Sequence, residues 1–192
     1  MSKKWSILLS LLIVPLMLTA CGDEDKPDDK KNSSGIQLPQ TFIDQESGLT
    51  VQYPADWVVV HEGGGIAVVS SQAVLESETL SANDLGVIIE VNPIASLSAV
   101  DLDGVFTAFT SAMTAANDGT TVTPPTSLKI GTTDARRITI THPEEGDAVL
   151  IAWLTDGGTS VLSVMGVAPQ GKLSALEPYV MAIANNLKYT AP

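Results

Sequence analysis

The chain has 192 residues, with ten Lys plus Arg against 22 Asp plus Glu, two His and a single Cys, and a formal net charge of −12. A surface this acidic repels nucleic acid and anionic lipid headgroups. One cysteine leaves no intrachain disulfide and no cysteine metal cluster.

The chain begins with Lys3 and Lys4 and then an apolar run from Ile7 to Leu18, interrupted only by Ser10 and Pro15. At about 12 residues the run is short for a bilayer span and suits the core of a signal peptide. Leu18-Thr19-Ala20-Cys21 follows. It resembles the bacterial lipobox: an aliphatic residue, two small residues that lie extended in a peptidase groove, and a cysteine whose thiol takes a diacylglyceryl group. The resemblance implies a signal peptide over residues 1–20 and a lipid anchor at Cys21. An ordinary secretory signal cleaved after Ala20, with Cys21 free, is the alternative. The short core disfavours an uncleaved signal anchor. Two or three acyl chains hold far better than one, since each buried CH2 contributes about 0.8 kcal/mol. The expected location is the cell membrane, lipid-anchored on the extracytoplasmic side. Gly22 stands where an Asp would signal retention in an inner membrane, and the choice between inner and outer membrane stays open.

Residues 21–37 read as the lipidated cysteine and its tether. The stretch is rich in Asp, Lys, Ser, Asn and Gly, too polar to bury a core. A flexible chain of that length reaches about 20 Å. Residues 38–192, about 150 in all, suit one ordinary domain.

Strand signals come first in that domain. Thr41 to Ile43 is short, Leu49 to Tyr53 alternates and stops at Pro54, and Trp57 to His61 is β-branched and aromatic. Gly63-Gly64-Gly65 turns the chain and Ile66 to Ser70 returns. Gly86 to Val91 is apolar on consecutive positions, as in a strand buried on both faces. The period then changes: Leu102, Val105, Phe106, Phe109, Met113 and Ala116 recur at helical spacing, closed by Asn117-Asp118-Gly119. After the stiff Pro124-Pro125, Leu128 to Gly131 joins or adjoins Asp134 to Thr141. Ala148 to Leu154 and Val161 to Ala168 follow, with Pro143 to Gly146 and Asp156 to Gly158 as hairpin turns. Leu173, Leu176, Val180, Ile183 and Leu187 mark a second helix. Ser174 with Glu177 fits a capping box, and Pro178 falls in or near the first turn. The expected fold class is α+β: one antiparallel β-sheet flanked by two helices.

Phe42, Gly48, Leu49, Val51, Tyr53, Pro54 and Trp57 form the pattern F-x5-G-L-x-V-x-Y-P-x2-W. It resembles the opening of PsbP-like domains, also found as small bacterial lipoproteins of the DcrB type. The Thr155-Asp156-Gly157 turn and the closing helix extend the resemblance over most of residues 38–190. It implies an α/β/α sandwich and binding or assembly work without a shared catalytic site. Family members include a photosystem II extrinsic subunit and a nuclear-transport regulator, so the fold alone selects no function. The photosystem subunit's amino-terminal segment and metal-binding side chains have no match here, and that role is not carried over.

The residues themselves offer little chemistry. The chain contains no G-x-S-x-G, H-E-x-x-H or phosphate-cradling G-x-x-x-x-G-K-[ST]. His142, Glu144, Glu145 and Asp147 gather at a turn that could hold a hard cation weakly; a solvated acidic turn explains them better. Asp101-Leu102-Asp103-Gly104 looks like part of a calcium loop, but it lacks the distal acid and fits a helix cap better. Arg136 and Arg137 point to opposite faces of a strand and form no joint anion clamp. One is expected to pair with an acid and the other to face solvent. Trp57, Trp153 and the Val105 to Met113 stripe read as core. The reading is a non-enzymatic lipoprotein with no cofactor, no metal site and no catalytic residue. It would serve as a binding or assembly accessory to an envelope protein. A small-ligand or cation-binding module is the alternative. A hydrolase, which would need His61 or His142 beside a serine and a carboxylate, comes third.

Overall fold

The computed structural model describes residues 35–62, 65–77, 80–115 and 119–191. Cys21, the leader, nearly all of the tether, Gly63, Gly64 and residues 116–118 lie outside that set. In chain order the elements are β1 (Gln40–Asp44), β2 (Leu49–Tyr53), β3 (Val58–Glu62), β4 (Gly65–Val69), α1 (Gln72–Glu76) and β5 (Gly86–Pro93). A 3-10 turn (Ile94–Leu97) leads to α2 (Leu102–Ala115), β6 (Thr121–Val122), β7 (Thr126–Ile130), β8 (Thr133–His142) and β9 (Gly146–Thr155). A second 3-10 turn (Asp156–Gly158), β10 (Ser160–Ala168), α3 (Leu173–Asn186) and β11 (Lys188–Tyr189) follow.

The fold is α+β, as the alternation of periods predicts, but the strands divide into two antiparallel sheets rather than one. The large sheet runs β3-β4-β5-β10-β9-β8-β6, with β7 also paired to β8, and the small sheet runs β1-β2-β11. The reason lies in burial. Leu49 and Val51 of β2 are fully buried in the same cluster as Ile66, Val68, Val87 and Ile89. The small sheet is thus a lid on one face of the large one, sharing that face with α3. The opposite face carries α2, whose Val105 and Phe106 pack on Ile138, Ile140, Ala148 and Leu150.

Contact between α3 and the sheet depends on a missing side chain. A Cβ on Gly166 of β10 would clash with Val180 Cγ2 and lie 2.9 Å from Leu176 Cδ2. Glycine therefore sets how closely the helix can sit.

Several local expectations change. The Leu128 and Asp134 segments are two strands, since Gly131 takes φ 58° and turns the chain back on itself. β6 and β7 flank Pro124-Pro125 and pair with opposite halves of β8, so the prolines break one edge of the sheet. The capping box is absent: Lys172 is the N-cap residue of α3, without a side-chain bond, and Ser174 lies inside the helix. Pro178 sits in the second turn, not the first. α1, the turn at Ile94–Leu97, β6 and β11 are too short to announce themselves by periodicity.

Candidate functional site

Asp44 ends β1 with its carboxylate buried. Its Oδ1 accepts from the Glu46 amide at 3.2 Å, and its Oδ2 accepts from the Ser47 hydroxyl at 2.5 Å and the Ser47 amide at 3.4 Å. His61 of β3 approaches the same group, Nε2 to Oδ2 at 3.5 Å, while its Nδ1 stands 3.9 Å from Glu46 Oε2. Burial raises the Asp44 pKa, but the Ser47 hydroxyl, the Glu46 amide, His61 and the Ser47 amide together outweigh it and hold the carboxyl below its usual range.

This brings together a serine, a carboxylate and a histidine, the set a hydrolase requires, but in the wrong order. Serine and imidazole both face the carboxylate instead of one another, so no base stands ready for the hydroxyl proton. The arrangement is a turn anchor: Asp44 closes the β1–β2 hairpin and meets the edge of the large sheet through His61. The sequence could show the Asp-x-x-Ser turn, but pairing with His61 depends on how the two sheets stack.

At the other proposed turn, His142 is buried, and its Nδ1 accepts from the amides of Glu144 at 3.2 Å and Glu145 at 2.9 Å. Asp147 Oδ2 accepts from the Gly171 amide at 2.7 Å, across the loop between β10 and α3. Imidazole and carboxylate thus hold backbone and do not converge on a shared cation position. No group of three or more His, Cys, Asp or Glu side chains suited to a metal occurs among the described residues. Asp101 caps α2 as expected, accepting from the Gly104 amide at 2.7 Å.

Arg136 and Arg137 do point to opposite faces, but both are paired, which corrects the expectation of one solvent-facing arginine. Arg136 Nε meets Asp103 of α2 at 3.0 Å, and Arg137 Nη2 meets Glu177 of α3 at 2.8 Å. Each arginine ties the helix on its own face to β8. Trp153 is core. Trp57 is half-buried and stacks on Tyr179 of α3, with centroids 5.0 Å apart and rings 26° from parallel. At the far end of the small sheet, burial and then the adjacent Asp156 carboxylate, hydrogen-bonded to the phenol, push Tyr189 above its usual value. These chemistry-bearing side chains thus serve mainly to join elements.

No family model matches the chain. No curated relative matches it either. Solved structures do share its shape. The PsbP protein of Synechocystis sp. PCC 6803, CyanoP, aligns over 90% of this chain and 99% of its own, at 13% identity and a TM-score of 0.54. LpqN of Mycobacterium tuberculosis, described as involved in cell envelope biogenesis, aligns over 80% of this chain and 90% of its own, at 12% identity and TM-score 0.54. The Saccharomyces cerevisiae Ran-binding protein Mog1p aligns over 78% and 94%, at 12% identity and TM-score 0.50. The domain therefore has the PsbP-like fold.

Proposed function

We propose that the protein is a lipoprotein, anchored at Cys21 on the extracytoplasmic side of the cell membrane. Its PsbP-like domain would act as a non-enzymatic binding or assembly accessory for an envelope protein. The observation that carries the reading is the use of His61, His142, Arg136 and Arg137 as structural ties, each against a carboxylate or backbone amide. The lipobox-like Leu18 to Cys21 supports the anchor. Among the described residues no helix is long and apolar enough to cross a membrane. The fold is shared with a protein described as involved in envelope biogenesis and with a Ran-binding protein.

The test is intact mass and membrane partition of the full chain beside Cys21→Ala, with crosslinking in native membranes. A diacylglyceryl mass increase and membrane retention, both lost in the variant, together with reproducible crosslinked proteins, are expected. A soluble, unmodified chain would reject the anchor, and crosslinking that returns no specific protein would reject the accessory role.

A further inference from the structure

The two faces of the large sheet are unequally covered. On the face under α3 and the small sheet, Ile66, Val68, Val87, Ile89 and Val164 are all fully buried. On the other face α2 packs over β8, β9 and the adjoining side of β10. Strand register continues that face outward in two cross-strand rows. One runs Met165–Ile88–Ala67–Val60, and the other runs Val167–Gly86–Val69–Val58. Val58, Val60 and Ile88 are half-buried and belong to neither core cluster. Ala67, Val69 and Gly86 are buried, so the apolar strip that extends past α2 to the outer strand β3 is formed by the half-buried Val58, Val60, Ile88 and Met165.

The strip has a charge of one sign. No lysine or arginine lies between Lys31 and Lys129, a stretch that contains β1 to β5, α1 and α2. Glu90 of β5 stands on the same face, paired in register with Gly65 and Ser163. Of the five basic side chains after Lys31, Lys129, Arg136 and Arg137 already meet acids. A second copy of so acidic a chain would be repelled from this face, while a cationic partner would be attracted.

We propose that this strip is the docking site for a basic amphipathic helix of a partner protein, laid beside α2 with its apolar face on Val60, Ile88 and Met165 and a lysine or arginine near Glu90. Helix packing on this sheet face is already realised by α2, and helix axes side by side stand about 8–10 Å apart. The inference rests on the binding-accessory reading and gives the partner's chemistry.

The probe is a synthetic Leu/Lys amphipathic helix of about 18 residues, five turns, carrying a benzophenone. The full chain is held in phosphatidylcholine nanodiscs, with empty nanodiscs as blank. A scrambled peptide of the same composition and a Leu/Glu version are the controls. The Leu/Lys helix is expected to bind at least about tenfold tighter than either control and to crosslink within β3 to β5. Val60→Thr with Ile88→Thr, which keeps β-branched side chains on the strands, is expected to weaken binding about tenfold without a large change in Tm. Glu90→Gln is expected to reduce the salt dependence of binding. Equal binding of the scrambled or the Leu/Glu peptide, or crosslinks confined to other elements, would overturn the proposal. So would a dimer of the chain that these threonine substitutions disperse. A partner captured in native membranes while the Leu/Lys helix fails here would sink this surface and leave the accessory reading standing. The reverse result would do the opposite.

Discussion

Arg137 Nη2 lies 2.8 Å from Glu177 Oε1, joining β8 to α3, while the neighbouring Arg136 is bound to α2 on the opposite face. The two ties are not equal. Asp103 is 74% exposed and Glu177 only 37%, while the two arginines, Arg136 and Arg137, are similarly covered at 28% and 25%. The Nε of Arg137 is also buried without a partner among the described residues. Removing Glu177 leaves a half-buried guanidinium unpaired; removing the arginine also removes its orphaned N–H. Glu177→Ala should therefore cost about 1–2 kcal/mol, and Arg137→Met less. Asp103→Ala should cost about 0.5 kcal/mol or less. Urea unfolding of the three variants checks the order.

Gly166→Ala tests the close approach of α3. The added methyl would meet Val180 and Leu176 well inside van der Waals distance, and both belong to the packed core. A loss of about 1–3 kcal/mol is expected. Truncating Val180 to Ala in the same chain should recover part of it, measured as a non-additive double-mutant cycle.

Acid should weaken the domain partly through Asp44. Its folded-state pKa is held below the usual value of 3.8. The unfolded chain therefore takes up the proton first as pH falls. The stabilisation is complete above about pH 4 and is lost as pH drops through the folded value. Asp44→Asn should be less stable than wild type at pH 6 and show a shallower decline below pH 4. Parallel declines in the two proteins would remove Asp44 from the account.

The stacked Trp57 and Tyr179 link the start of β3 to the second turn of α3. A cycle of Trp57→Leu and Tyr179→Leu should give a coupling of about 0.5–1.5 kcal/mol. A coupling near zero would mean that the two rings pack independently.

Periodicity made much of this legible. Leu49 to Tyr53 and the long strands around Val149 and Val164 announce themselves by alternation or by unbroken apolar runs, and α2 and α3 by their spacing. Division into two sheets was not legible, because alternation in β2 says that Leu49 and Val51 share a face but not which sheet they cover. Ser174 and Glu177 had the spacing of a cap, yet Glu177 is drawn to Arg137, a residue forty positions away in the chain. His61 beside Asp44 has the same origin: contacts set by sheet stacking leave no local signature. Of the candidate surface, the absence of basic residues between Lys31 and Lys129 could be read directly. The half-buried strip beyond α2 could not, since it depends on where α2 comes to rest.

β2 pairs with β1 on one side and with β11 on the other, through Thr50 with Lys188 and Leu49 with Tyr189. The first and last strands of the domain thus flank one strand and close it from both sides. Synthesis must pass Tyr189 before that third strand can be added. A chain cut short before Lys188 would leave β2 with an open flank, which is an invitation to pair with another molecule. β11, only two residues long, acts as the latch that closes the sheet begun by β1 and β2.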